Sequence, residues 1–215
     1  MKFNEKIVIA KENDRVYEFL VRSFDILFSV SVLLLLLPIW LLIAMIIYLD
    51  DPHGSPFFCQ ERIGKNSKPF IMFKFRTMYV DAENRLGSLM QDNECDGPVF
   101  KIKDDPRITR FGRYIRKISI DEIPQMFNVL IGDMSLVGPR PPLPREVKVY
   151  TPYQLNRLRI KPGLTCYWQV APNRHQMKFE DWVELDLKYI KERSIATNAK
   201  VIFKTIAVVF DAKGE

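Results

Sequence analysis

The sequence predicts an α+β fold, mostly helical with a small sheet, attached to a membrane through its N-terminal region. Three observations predict it. Residues 26–49, ILFSVSVLLLLLPIWLLIAMIIYL, carry no charge over a membrane-crossing length. Short segments at 57–60, 69–78 and 164–170 read as a few strands. Runs of helical period at 178–193 and 199–210 read as amphipathic helices.

The 215 residues allow one soluble domain plus an anchor. A formal charge of +6 points to anionic partners: lipid headgroups, nucleotides or nucleic acid. Twenty-six acids dilute that charge and no nucleic-acid motif is present, so nucleic acid is set aside. Cys59, Cys95 and Cys166 are far apart and lack zinc spacing, which reads as reduced thiols in a cytoplasmic setting. His53 and His175 are the only histidines, so histidine-centred chemistry is disfavoured.

The uncharged run would be roughly 36 Å long as a helix at ~1.5 Å per residue. It is too long, begins too late and lacks the small-residue cleavage site of a secretory signal. Two topologies stay open, a straight span and a re-entrant hairpin bent at Pro38. Lys2, Lys6, Lys11, Arg15 and Arg22 precede the run, and Arg62, Lys65 and Lys68 follow it, so both flanks look cytoplasmic. Pro38 removes one helical hydrogen bond and clashes with the preceding turn. In a hairpin the freed backbone groups would need partners such as Ser29 or Ser31.

Residues 51–69, rich in proline and glycine, read as loop around the first short strand. PFIMFKFRTM at 69–78 sets Phe73 and Phe75 against Lys74 and Arg76, a strand with one basic face. A short helix is expected at 81–91, an ordered polar loop at 92–109, and a basic helix or turn at 109–118. After Pro162-Gly163, LTCYWQV reads as a strand, and Phe179, Val183, Leu187 and Ile190 mark a buried helix face. The last helix sets Ile202, Phe203, Ile206, Val209 and Phe210 against Lys200 and Lys204. It either packs on the core or lies in a membrane interface.

The chemistry concentrates between Ile115 and Pro141, where Asp121-Glu122 lies between Arg116 and Arg140. Ser119 to Glu122 fits a capping box, although Pro124 would then sit inside the first turns. A helix starting one or two residues later puts Asp121 at or beside its N-cap. Both readings keep Asp121 ionised, through free N–H groups and the helix dipole. Such a carboxylate suits attack on phosphorus, and it is equally an ordinary cap.

Lys74, Arg76, Arg107, Arg110, Arg113, Arg116 and Arg140 surround the pair in unusual density. Prolines on both sides of Arg140 stiffen its backbone, and a fixed guanidinium suits bidentate phosphate recognition. Arg110 and Arg113 also fit a solvated basic face. Neither a P-loop nor a G-x-G-x-x-G is present, so phosphates would be held by side chains.

In order along the chain stand RSFDILFS, PFFCQERIGKNSKPFIMFKFRTM, DDPRITRFGRYIRKISIDEIPQMFNVLIGDMSLVGPRP, KPGLTCYWQV and LDLKYIKERS. Together these blocks resemble the bacterial sugar transferase family, the monotopic polyprenyl-phosphate phosphoglycosyl transferases, in its small single-anchor form. The resemblance covers roughly residues 20–207.

It implies transfer of a phosphosugar from a UDP-sugar to a polyprenyl phosphate such as undecaprenyl phosphate, releasing UMP. This is the first membrane step of exopolysaccharide, capsule or glycoconjugate synthesis. Asp121 would be the nucleophile and form an aspartyl-phosphosugar intermediate, and Glu122 its helper. Asp121 and Glu122 would hold Mg²⁺. Lys74, Arg76, Arg107, Arg116 and Arg140 would bind substrate phosphates.

The resemblance also implies the hairpin bent at Pro38, with the catalytic domain on the cytoplasmic face of a bacterial inner membrane. The expected division is 1–21 as N-terminal flank, 22–50 as re-entrant helix, 51–196 as catalytic domain and 197–215 as amphipathic helix and tail. The lipid bilayer is an expected partner, and a homo-oligomer stays open.

Departures from the family pattern are Leu37 before the membrane proline, Cys166 after Leu-Thr, and Ala171-Pro172-Asn173-Arg174 in place of Gly-Arg-Asn. The competing reading is a non-catalytic basic adaptor anchored on anionic lipid.

Overall fold

The structure, a computed structural model, describes residues 14–100, 102 and 104–210. The flank carrying Lys2, Lys6 and Lys11, and the tail 211–215, lie outside the described residues.

One helix dominates. α1, Arg15–Asp50, begins where Asp14 accepts a hydrogen bond from the Tyr17 N–H, and it runs unbroken through Pro38. It starts before the expected anchor because Arg15, Glu18, Arg22 and Asp25 extend its first turns, and three of them find partners in the domain behind. Arg22 donates to the carbonyls of Val129 and Leu130, both at 2.6 Å. Asp25 accepts from the Ser135 hydroxyl and the Leu136 N–H. Glu18 pairs with Arg193 at 2.8 Å.

Further along, Trp40, Ile43 and Ile47 bury one face against Phe75 and Ile115. Asp50 at the helix end accepts from the Phe111 N–H at 3.2 Å. The opposite face is bare: Leu34, Leu35 and Leu41 are each about 70–80 % exposed. Both ends of α1 therefore rest on the same folded body.

That body contains two small sheets. β1 (Phe57–Ile63) and β2 (Pro69–Phe75) form an antiparallel hairpin with Phe57 opposite Phe75 and Ile63 opposite Pro69. β1 is longer than expected because the whole hairpin pairs. α2 (Ala82–Leu89) and α3 (Arg110–Lys117) follow, close to the expected ranges. The turn leading into α4 (Gln125–Ile131) differs from the expected cap. Ser119 adopts a left-handed conformation, φ 56°, and its side chain caps nothing. Residues 120–122 form a 3₁₀ turn instead, and α4 begins after Pro124. The ring cannot donate a backbone hydrogen bond, so the helix starts where that loss costs least.

β3 (Ser135–Val137) pairs in parallel with β4 (Gly163–Thr165), flanking the one-turn helix α5 (Pro144–Val147). The expected strand after Pro162-Gly163 stops at Thr165, since Trp168 and its neighbours turn into the core. α6 (Phe179–Glu192) buries Phe179, Val183, Leu187 and Ile190, the face that the sequence predicts. α7 (Ile195–Phe210) buries Val201 but leaves Phe203 73 % exposed, with Ile206 and Val209 also outward.

The architecture is thus mostly helical with a small sheet. The helix long and apolar enough to cross a membrane, among the described residues, is α1.

Candidate active site

Three chain segments meet at a small, open polar cleft. β1 and β2 supply Arg62, Met72 and Lys74; the 3₁₀ turn and α4 supply Glu122 and Gln125; the segments around β3 and β4 supply Arg140, Leu164 and Gln169. Three polar side chains expected from the sequence, Lys74, Glu122 and Arg140, line one wall-to-wall space.

The Lys74 ammonium donates to Glu122 at 2.7 Å, and both side chains are part-exposed, at 21 % and 30 %. Asp121 occupies the preceding residue of the same turn and is buried. Ile120 and Ile123 on either side pack against the Trp40–Phe75 cluster, which fixes the turn. Two hard carboxylates on consecutive residues suit Mg²⁺, which is commonly held by one or two carboxylates plus substrate phosphates. Among the described residues no three His, Cys, Asp or Glu side chains gather into a metal site, so phosphate oxygens would complete such a shell.

Arg140 is fixed from several directions. Gly138 donates to Thr165, and Gly163 donates to the Pro139 carbonyl at 2.9 Å. A Cβ on Gly163 would lie 2.0 Å from the Gly138 nitrogen, so this backbone crossing requires glycine. Ile63 donates to the Pro142 carbonyl, and Arg62 donates to that of Pro141 at 3.0 Å. The Arg140 guanidinium lies 6.0 Å from the Trp168 ring centre, and Trp168 stacks on Trp182 at 4.4 Å. Arg62 is itself deeply buried: desolvation, with Arg140 nearby, pulls it down to about 10, still cationic at neutral pH.

Behind the tryptophans lies a buried pair, Arg157 and Asp186 at 2.6 Å, with Arg157 also donating to the Tyr150 hydroxyl. Burial pushes Asp186 up to about 6 against the pull of Arg157, and its Oδ1 has no hydrogen-bond partner.

The remaining expected residues lie elsewhere. Arg76 pairs with Asp51 at 3.1 Å and also donates to the Asp51 carbonyl, tying β2 to the end of α1. Arg107 closes bidentately on Asp105, with Nη2 to Oδ2 at 2.6 Å, and lies over Phe100. Burial opposes ionisation of Asp105, but the hydrogen bonds and charge of Arg107 win and hold its carboxyl below the usual range. Both arginines thus use their forks inside the protein. Arg116, at the end of α3, is half-buried and near enough to Asp105 to help hold its charge.

Pro38 lies mid-helix, remote in sequence from the cleft. Arg62, Gln125 and Gln169 are cleft residues that sequence reasoning missed. The signal was present for two of them, since Arg62 lies inside the QERIG stretch and Gln125 directly follows Pro124.

The model of the family described as "Bacterial sugar transferase" matches residues 16–212. The chain is 47 % identical over 161 residues to "Galactosyl transferase CpsE" of Streptococcus agalactiae serotype III, covering 75 % of this chain and 36 % of that protein. It is 37 % identical over 210 residues to "Undecaprenyl-phosphate galactose phosphotransferase" of Salmonella typhimurium, covering 96 % and 43 %. "Exopolysaccharide production protein ExoY" of Sinorhizobium fredii is 36 % identical over 197 residues, covering 90 % and 86 %. The chain therefore spans less than half the length of the first two relatives and most of the third.

Proposed function

This chain belongs to the bacterial sugar transferase family, and on that premise we propose that it transfers a phosphosugar from a UDP-sugar to a polyprenyl phosphate such as undecaprenyl phosphate. The observation that carries the reading is the cleft in which Lys74, Glu122 and Arg140 converge, with Asp121 buried on the same turn as Glu122 and outside the cleft lining.

The Asp121 carboxylate attacks the sugar-bearing phosphorus of the nucleotide diphosphate. A P–O bond to Asp121 forms, the P–O bond to the nucleotide breaks, and UMP leaves with the electron pair. A phosphate oxygen of the polyprenyl acceptor then attacks the same phosphorus and expels the Asp121 carboxylate. Two displacements replace one, which is nucleophilic catalysis. The acceptor has a second pKa near ~6 and is mostly deprotonated at neutral pH, so the second step requires no strong base.

Lys74, Arg140 and the neighbouring Arg62 line the path of the phosphates, and Arg116 lies just before the turn. Mg²⁺ bound by Asp121, Glu122 and the diphosphate would neutralise charge on the transferring group and leaving UMP. Glu122, which accepts from Lys74, would be the residue to share between that lysine and the metal or acceptor.

The topology belongs to the same proposal. α1 would be about 54 Å long at ~1.5 Å per residue, against a hydrocarbon core of about 30 Å. Arg22 and Asp50 nevertheless reach one body, through Val129, Leu130 and Phe111. In this proposal the helix enters and leaves on one face, with the cleft on the cytoplasmic side, although α1 is helical through Pro38 and Leu36 and Trp40 on either side of it pack on the body. The outward faces of α1 and α7 would meet lipid. The segment 51–196 would be the catalytic domain between anchor and terminal helix.

Mass spectrometry of the protein incubated with a panel of UDP-sugars and Mg²⁺ tests the scheme. A phosphosugar adduct on Asp121 and UMP in solution are expected. Asp121→Asn should abolish both while leaving the fold intact. Release of UDP with no adduct from any donor would replace the scheme with direct glycosyl transfer. Unchanged UMP release by Asp121→Asn would remove Asp121 as nucleophile.

A further inference from the structure

A second, shallow hollow, lined by other residues than the Lys74–Glu122–Arg140 cleft, lies between the first turns of α1, the β1–β2 turn, and the segment leading into β4. Its polar lining holds four cations, Arg22, Lys65, Lys161 and Arg193, against two acids, Glu18 and Asp25. Both acids are engaged: Glu18 pairs with Arg193, and Asp25 accepts from Ser135 and Leu136. The lining thus has a net positive charge centred on Arg22, Lys65 and Lys161.

Two of these cations converge on one point. The position that a Cβ on Gly132 would take is 3.4 Å from both the Arg22 Nη2 and the Lys161 Nζ. Arg22 is already used in part, since it donates to the last carbonyls of α4. Lys161 is half-buried, and no carboxylate among the described residues lies within ion-pair distance of it. Desolvation, then repulsion from Arg22, pulls the Lys161 ammonium below its usual range; Asp25 opposes this, Lys65 adds to it, and Glu18 opposes it weakly. An anion seated between these groups would relieve the repulsion. The negative end of α4 supplies about half a charge and the Asp25 carboxylate one more, which leaves the three cations in excess.

The surroundings indicate where such an anion comes from. Phe19, Leu20 and Phe24 on the first turns of α1 are exposed, as is Ile195 at the start of α7. The hollow lies beside α1, whose outward face is apolar, so a lipid headgroup is one source of such an anion.

We propose that the hollow formed by Arg22, Lys65 and Lys161 is a second phosphate-binding site, separate from the reaction cleft, which takes the phosphate of an anionic lipid headgroup or of a free phosphate ester. It stands apart from the transferase reading, because it concerns binding and not turnover. Seated there, a headgroup would bridge α1, the β1–β2 turn and the segment before β4, and so hold the anchor against the domain.

Limited amine acetylation of the full chain in nanodiscs, read by mass spectrometry, tests the site. Three arms are compared: phosphatidylcholine alone in chloride buffer, phosphatidylcholine with inorganic phosphate, and phosphatidylcholine with a quarter phosphatidylglycerol. Lys161 labelling should fall about tenfold in at least one anionic arm. A fall with phosphatidylglycerol identifies the headgroup as the source, and a fall with inorganic phosphate alone identifies a free ester.

Lys188, exposed on α6, reports general surface attraction and should label equally in all arms. Lys65→Gln removes an exposed cation from the rim and should weaken Lys161 protection severalfold without unfolding the chain. Equal Lys161 labelling in every arm overturns the site. So does protection of Lys188 to the same degree, or protection that Lys65→Gln leaves unchanged.

Discussion

At the scale of single residues, the site depends on charges whose alternatives the fold has removed. Arg140 is gripped through the backbone on both sides and laid over Trp168, so its guanidinium presents one edge to the cleft. Lysine would keep the charge but lose the planar fork and the ring contact. Arg140→Lys should therefore lower kcat/KM about ten- to a hundredfold, with the Tm nearly unchanged, as steady-state UMP release and thermal melting would show.

Asp186 makes a different case. Its folded pKa is raised to about 6 from 3.8, so the fold prefers it protonated. That contribution is fully present below about pH 4 and is lost as pH rises through about 6. Asp186→Asn should flatten this part of the stability–pH curve measured by denaturant unfolding. A curve with the same slope between pH 4 and 6 would show that another group titrates there.

At the scale of elements, α4 connects the β1–β2 hairpin to the Asp121–Glu122 turn through one side chain. Asn128 is fully buried; its Oδ1 accepts from the Phe73 N–H, and its Nδ2 donates to the Ile71 carbonyl at 2.6 Å. It completes the hydrogen bonding of β2 as a neighbouring strand would, and so sets Lys74 opposite Glu122. Asn128→Ala leaves two backbone groups unsatisfied and should cost about 2–3 kcal/mol, read from urea unfolding. KM for the UDP-sugar should rise with it, because Lys74 loses its register.

Periodicity revealed α6, since a buried helix face repeats its apolar residues at fixed spacing. It did not reveal the 3₁₀ turn at 120–122. Ser119, Asp121 and Glu122 satisfy a capping pattern by residue type. Pro124 and the packing of Ile120 and Ile123 decide that the cap does not form.

At the scale of the whole molecule, the bare face of α1 and the docking of both its ends yield one prediction. Single cysteines at Arg15 and His53, in a background lacking Cys59 and Cys95, should react with a membrane-impermeant thiol reagent from the same side of sealed vesicles. Cys166 can remain, because it is buried and desolvation raises its thiol well above the usual range. Reaction from opposite sides would establish a straight span.

The sequence by itself determined the uncharged run, the apolar face of α6 and the family, and it pointed to Lys74, Glu122 and Arg140, which the fold brings together. Each follows from local composition, spacing or a contiguous block of residues. Only the tertiary structure decided how the cations divide. Lys74 and Arg140 line the cleft, with Arg62 added, while Arg76 and Arg107 are bound to Asp51 and Asp105. The physical reason is that a guanidinium takes whichever carboxylate the fold brings within about 3 Å. Asp51 lies 25 positions from Arg76 and only the folded chain makes them neighbours, while Asp105 becomes a partner for Arg107 only once their loop is buried.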